Sequence, residues 1–287
     1  MNKESIKDLL PRFISYLEEL GRSPSTILAY RADLQQLNDY LVDKNKSMPD
    51  QIEEADLEGF RDFLLGNNYT RKSTSRKLNA IKTFFRWMKD NKIITRDASQ
   101  EVTHPKIETT IPKFLTSLEY RALRDVVRTD PRVAAIVELI LQTGLRISEV
   151  ANLKSGDVKA ATVRVENYAT QPERTVDLNG PAKLAIQEYL KIRPETDSEY
   201  LFVSKNGKPL AVRNIRAALD RHMQKAELAG YSVNDLRTTF IVENLKRGVD
   251  LSIVSQAAGH KRMSTTERYL ELAEIKESGK RQKLEEL

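Results

Sequence analysis

The stretch TGLRISEVANL, residues 143–153, lies where one kind of apolar periodicity ends and another begins. Upstream, PRVAAIVELILQTG (131–144) opens with a proline at a first-turn position and closes on Gly144, the pattern of a buried helix with a glycine stop. Downstream, ATVRVENY (161–168) and ERTVDL (173–178) are β-branched and alternate with period two around the turn-like ATQP, which predicts a hairpin. GPAKLAIQEYLKIRP (180–194) returns to helix, EYLFVS (199–204) reads as a short strand, and VRNIRAALDRHMQKAEL (212–228) as an amphipathic helix. VNDLRTTFIVENLKRG (233–248) and DLSIVSQAAGH (250–260) continue in helix. The expected fold of this half is mainly α with a small β-hairpin.

The first hundred residues read as four helices. Ile6, Leu9, Phe13, Leu17 and Leu20 recur at helical spacing before Gly21, and Ile27, Tyr30, Leu34, Leu37 and Leu41 repeat the pattern after a start at Ser23–Ser25. EEADLEGFRDFLLGNN (53–68) is shorter. The fourth segment, RKSTSRKLNAIKTFFRWMKDNK (71–92), aligns Leu78, Ile81, Phe85 and Met88 on one face and holds eight basic residues against Asp90. Such a charge run is often a solvated helix face. Here Lys72, Ser73, Arg76 and Lys77 crowd the helix start, where cations, a hydroxyl and unpaired backbone N–H groups together suit phosphate binding. The polar, proline-containing stretch ASQEVTHPKIETTIPKFLT (98–116) reads as a linker. The expected division is therefore a helical domain over 1–98, a linker over 99–113, and a second domain over 114–287.

Composition narrows the chemistry. Of 287 residues, 40% are hydrophobic and 31% charged, a balance that supports folded domains. With no cysteine, disulfides, thiolate metal sites and cysteine nucleophiles are excluded. A formal charge of +6 is compatible with a polyanionic partner. No segment approaches the ~18 apolar residues of a membrane span, so no membrane partner and a cytoplasmic location are expected.

The polar residues form an ordered series: Arg146 and Glu149 in TGLRISEV, the hairpin, Arg237 in NDLRTTF, His260 in AAGH, and Tyr269 in ERYL. In this series, over nearly its whole length, the chain resembles the tyrosine recombinase (phage integrase) family, especially its Xer-type members. The resemblance implies two domains, a helical SAM-like core-binding domain and a mostly helical catalytic domain. It also implies a reaction in which a tyrosine hydroxyl attacks a DNA phosphodiester, forms a 3′-phosphotyrosyl bond and releases a 5′-hydroxyl, with no metal and no cofactor. On that resemblance Tyr269 is the nucleophile, Arg146 and Arg237 are the arginines that hold the non-bridging oxygens, and His260 donates a hydrogen bond to the phosphate. Guanidinium geometry suits such bidentate contact in a way lysine does not. Glu149, one helical turn beyond Arg146, is expected to orient an arginine or to pack the helix start and not to perform chemistry. The implied partner is double-stranded DNA, bound by two protomers per site and four in the synaptic complex, with the C-terminal segment (274–287) available to dock on a neighbouring protomer.

Two positions depart from the family pattern. Its hairpin lysine, the general acid toward the leaving 5′-oxygen, falls at or near Ala169, and no lysine occurs between Lys159 and Lys183. Its His-x-x-Arg is here NDLR, with Asn234 in place of histidine; an amide donates a hydrogen bond but accepts no proton near neutral pH. A positioned acid or base contributes about 10²- to 10⁴-fold, so weakened cleavage with intact DNA binding is expected. The alternative is a DNA-binding regulator or architectural protein on a recombinase scaffold.

Overall fold

Three of the four α-helices of the N-terminal part begin where a hydroxyl closes the first turn. Ser5, Ser23 and Thr70 accept backbone N–H groups at the starts of α1 (Ile6–Glu19), α2 (Pro24–Val42) and α4 (Arg71–Asp90), and α3 (Glu54–Gly66) lies between the last two. The chain leaves α1 through Gly21 at φ +66°, a left-handed conformation that glycine takes without strain. The computed structural model describes residues 4–108, 111–167 and 172–274. The chain divides into two compact units, Met1–Thr110 and Ile111–Leu287.

In the first unit the apolar faces read from the sequence meet in one core. Phe13, Leu34, Leu37, Phe60, Phe84 and Phe85 are fully buried, and the Phe13 ring packs 5.0 Å from Phe84 and 5.4 Å from Trp87, adding aromatic contact to the area removed from water. Residues after α4 stay on this unit. Val102 is buried in its core, Thr103 Oγ1 accepts from Arg61 at 2.8 Å, and His104 Nδ1 pairs with the Ser75 hydroxyl at 3.0 Å.

The second unit is built on α6 (Pro131–Thr143), capped by Asp130, started by Pro131 and ended at Gly144 in the left-handed region. Its residues are buried on nearly every side, and α5 (Ser117–Val127), α8 (Gly180–Ile192), α9 (Val212–Lys225) and α10 (Val233–Lys246) pack around it. The short α7 (Ile147–Asn152) follows Gly144 directly, with Arg146 as its N-cap residue. β1 (Thr162–Val165) and β2 (Arg174–Asp177) form the expected antiparallel hairpin, in the register Thr162↔Asp177 and Val165↔Arg174. Its turn, with Tyr168, Ala169 and Gln171, lies outside the described residues.

One expected element is corrected. EYLFVS forms no strand: its residues make isolated bridges, Lys154↔Tyr200 and Val203↔Pro209. The backbone groups are satisfied elsewhere, Leu201 N–H donating to Leu153 O at 2.7 Å and Val203 N–H to the Tyr189 hydroxyl at 3.1 Å, so the apolar run is buried without a ladder. The chain ends its described part with α11 (Leu251–Ala258), α12 (Ser264–Glu267) and α13 (Leu270–Glu274). A small core of Phe240, Ile241, Val254 and Ala258, with Tyr269 against it, holds α11 and the turn after α12 on α10. Of the segment 274–287, which the resemblance makes available for docking on a neighbour, residues 275–287 lie outside the described residues.

Candidate active site

Gly144 ends α6 in a left-handed turn so tight that a Cβ there would stand 2.4 Å from the Phe240 ring. That turn delivers Arg146 to the head of α7. The Arg146 guanidinium donates to Glu149 Oε1 at 3.0 Å, to Ala258 O at 3.3 Å and to Gly259 O at 2.9 Å, and its backbone N–H donates to Glu149 Oε2 at 2.7 Å. Arg146 is thereby tied to the end of α11, more than a hundred residues on. From α10, Arg237 donates to the carbonyl of the same Gly144. The two arginines of the sequence series are therefore brought together around one glycine turn.

His260 follows Gly259 directly. Its Nδ1 is 2.8 Å from Thr266 Oγ1, and its ring lies parallel to that of Tyr269 with centroids 6.3 Å apart. Arg146, Arg237, His260 and Tyr269 thus form one constellation. Asn234 sits exposed on the first turn of α10, three residues before Arg237, with its carbonyl accepting from the Thr238 hydroxyl at 3.2 Å.

A residue that sequence reasoning left without a role completes the frame. Arg174, at the start of β2, is 8% exposed and makes a bidentate pair with Glu149, both N–H···O distances 2.8 Å, while its Nε–H donates to Ala257 O at 2.8 Å. The period-two pattern held the signal: Arg174 and Val176 share the inward face of β2 and Thr175 and Asp177 the outward one. Glu149 is the shared acceptor of Arg146 and Arg174. Burial alone would raise its pKa, but the two guanidiniums and the Arg146 N–H hold its carboxyl below the ordinary value of 4.5.

The electrostatics follow from three guanidiniums facing that one carboxylate. Burial first, then the positive charge of Arg146 and Arg174, pushes Arg237 down to about 9, which leaves it charged near neutral pH. Burial first, then Arg237, Arg146 and Arg174, pushes His260 down to about 4, so its imidazole is neutral there. The Tyr269 phenol lies within electrostatic reach of Arg237. The unspent positive charge is what an anion entering this site would neutralise. Among the described residues no cluster of histidine and carboxylate side chains has the geometry to hold a metal ion.

The phosphate-binding group expected in the first unit divides into exposed and inward-turned side chains. Lys72 is exposed, and Ser73 N–H and Oγ are engaged by the Thr70 cap. Arg76 and Lys77 both bind Asp33, whose carboxylate is 1% exposed: Lys77 Nζ donates to it at 2.8 Å and Arg76 through two N–H groups. Arg76 remains half exposed, whereas the Lys77 ammonium is buried on Asp33 and over the Tyr69 ring at 5.2 Å. Lys77 is thus turned inward, because a buried carboxylate on α2 demands a cation more strongly than solvent does.

Comparison with known proteins shows the family. Residues 113–275 match the phage integrase family and residues 10–92 its N-terminal SAM-like domain. The chain belongs to the phage integrase family, whose members are tyrosine recombinases that cleave and rejoin DNA. Within it the chain is of Xer type. It is 32% identical over 274 residues to the tyrosine recombinase XerC of Lactobacillus leichmannii, covering 90% of this chain and 92% of that one. It is 30% identical over 272 residues to XerC of Herpetosiphon aurantiacus, covering 91% and 89%. The XerA recombinase crystal structure superposes with a TM-score of 0.56 at 27% identity, covering 96% of this chain and 99% of that one. The same fold is found in the Tn1549 transposon integrase in complex with circular intermediate DNA (TM-score 0.78, 17% identity, 94% and 99% covered) and in a lambda integrase tetramer bound to a Holliday junction (0.77, 17%, 92% and 79%).

Proposed function

We propose that this chain exchanges strands of duplex DNA through a covalent bond to Tyr269, with Arg146 and Arg237 as the phosphate clamp and His260 as a neutral hydrogen-bond donor. The observation that carries the reading is the convergence of these four side chains on the Gly144 and Gly259 turns. In the forward step the Tyr269 oxygen attacks phosphorus, its O–H proton leaves to solvent, and the bond to the 5′-oxygen breaks, that oxygen taking a proton. Negative charge on the equatorial oxygens is met by fixed guanidinium N–H donors, the electrostatic contribution that dominates such reactions. Rejoining is the reverse attack by a 5′-hydroxyl.

Asn234 supports a phosphate contact through its amide but no proton transfer, and alanine at 169 supplies no acid. Cleavage is accordingly slowed, with water serving both proton transfers, each of which is worth about 10²- to 10⁴-fold when a side chain performs it. The helical domain over 1–98 contacts the DNA backbone through Lys72, Ser73 and Arg76, the connecting stretch 99–113 packs on that domain at Val102, Thr103 and His104, and 114–287 carries the chemistry. Two protomers act on each site and four in the synapse, a reading supported by the lambda integrase tetramer on its junction. The DNA is met in the cytoplasm. The test is single-turnover cleavage of a nicked duplex, comparing the natural chain with Ala169→Lys combined with Asn234→His. A rise of at least ~10²-fold in the double variant is expected; an unchanged rate would show that the two departures do not limit cleavage.

A further inference from the structure

Thr266 is fully buried, and its hydroxyl has one partner among the described residues, His260 Nδ1 at 2.8 Å. Its carbonyl accepts the N–H of Tyr269 at 2.9 Å. One residue therefore grips the imidazole through its side chain and the tyrosine through its backbone. We propose that Thr266 is a positioning residue: its hydroxyl donates to His260 Nδ1, which places the ring proton on Nε2 and fixes the imidazole relative to the turn that carries Tyr269. The inference rests on the roles given above to His260 and Tyr269.

The direction of the hydrogen bond follows from counting donors. Were Nδ1–H the donor, the Thr266 hydroxyl proton would be left without an acceptor in a fully buried position, an unfavourable arrangement. With the hydroxyl as donor, both groups are satisfied and Nε2 carries the proton. That tautomer also matches the site's task, since a lone pair on Nε2 would repel a phosphate oxygen and an N–H attracts one. Because the ring is neutral near physiological pH, its tautomer and not its charge decides what it offers. The spacing adds a mechanical consequence. α12 is a single turn between His260 and Tyr269, so the Thr266 side chain is the polar tie that holds this turn to the imidazole.

Long-range proton–nitrogen NMR of the full chain, with histidine labelled in nitrogen-15, reads the tautomer directly. Only three histidines occur, and His260 is assigned by its loss in His260→Asn. The expected spectrum near neutral pH shows His260 with its proton on Nε2 in the natural chain and in Thr266→Ser, and a mixture of tautomers in Thr266→Val. On a nicked duplex, Thr266→Val forms the covalent adduct roughly 10-fold more slowly, and Thr266→Ser restores the rate. A proton on Nδ1 in the natural chain, or a valine variant that keeps both tautomer and rate, overturns the proposal. If the valine variant fails to fold, the natural spectrum and the serine variant decide alone. Adduct persisting in Tyr269→Phe would instead overturn the nucleophile assignment while leaving the tautomer assignment intact.

Discussion

A carboxylate whose side chain is 2% exposed, set between two guanidiniums, fixes the charge balance of the site at the level of single residues. Breaking a buried pair by removing one partner costs about 3–5 kcal/mol, because the remaining charge stays desolvated. Glu149→Gln is expected to lose about that much in urea unfolding and to loosen Arg146 and Arg174 together; a loss below ~1 kcal/mol would place the frame elsewhere. His260 gives a pH signature of its own. Its folded pKa lies below the unfolded value of 6.5, so the unfolded chain binds the extra proton, and the stability from the neutral ring is complete above 6.5 and lost as pH falls toward about 4. His260→Asn removes that slope between those values in thermal or urea unfolding, and an unchanged slope would contradict a buried neutral imidazole. At this scale the sequence showed Arg146, Arg237, His260 and Tyr269 through their order along the chain. Arg174 stands out less, because a charged residue in a strand reads as solvent-facing until its partner Glu149 is known, and Thr266 because a hydroxyl among polar neighbours carries no pattern until a fold brings it against a ring.

Among the elements, the glycine turns do the assembling. Gly259 ends α11 at φ +66°, and a Cβ there would stand 2.8 Å from the Arg174 guanidinium. Gly259→Ala therefore adds left-handed strain, about 1 kcal/mol, to displacement of the arginine that joins β2 to this turn. The expected result is lower stability together with slower adduct formation; a variant of natural stability and rate would remove Gly259 from the argument. Helices and hairpin were legible because their periodicities differ and their caps are explicit, as in Ser23 before Pro24 and Asp130 before Pro131. EYLFVS was misread because an apolar run of that length fits a buried strand as well as a buried irregular segment, and only the destination of its backbone hydrogen bonds separates them. Lys77 was misplaced for a related reason. Helical spacing puts it beside Arg76, but its partner Asp33 is 44 residues away on α2.

For the whole molecule, the distinction between a cation that binds phosphate and one that holds the fold becomes measurable. Lys72→Gln is expected to lower the slope of log affinity against log salt by about 1 with little effect on stability, since each neutralised phosphate releases condensed counterions. Lys77→Met is expected to do the reverse, costing about 1.5–3 kcal/mol of stability at an unchanged salt slope, the worth of one hydrogen bond to a charged group, since Asp33 keeps Arg76. Equal effects of the two substitutions would undo the assignment of the α4 cations. The two-unit organisation was readable from the break in periodicity and the polar stretch between. The Asp33 cluster was not, since nothing local marks a carboxylate that folding will bury.

The central proposal is that the Tyr269 phenol attacks a phosphate held by Arg146 and Arg237. The direct measurement is to trap the chain on a nicked duplex, digest both components and locate the nucleotide-bearing peptide by mass spectrometry. A 3′-phosphate on Tyr269, formed by the natural chain and abolished in Arg146→Lys or Arg237→Lys, is the predicted result. A linkage at any other residue, or adduct formation indifferent to both arginines, would contradict the account.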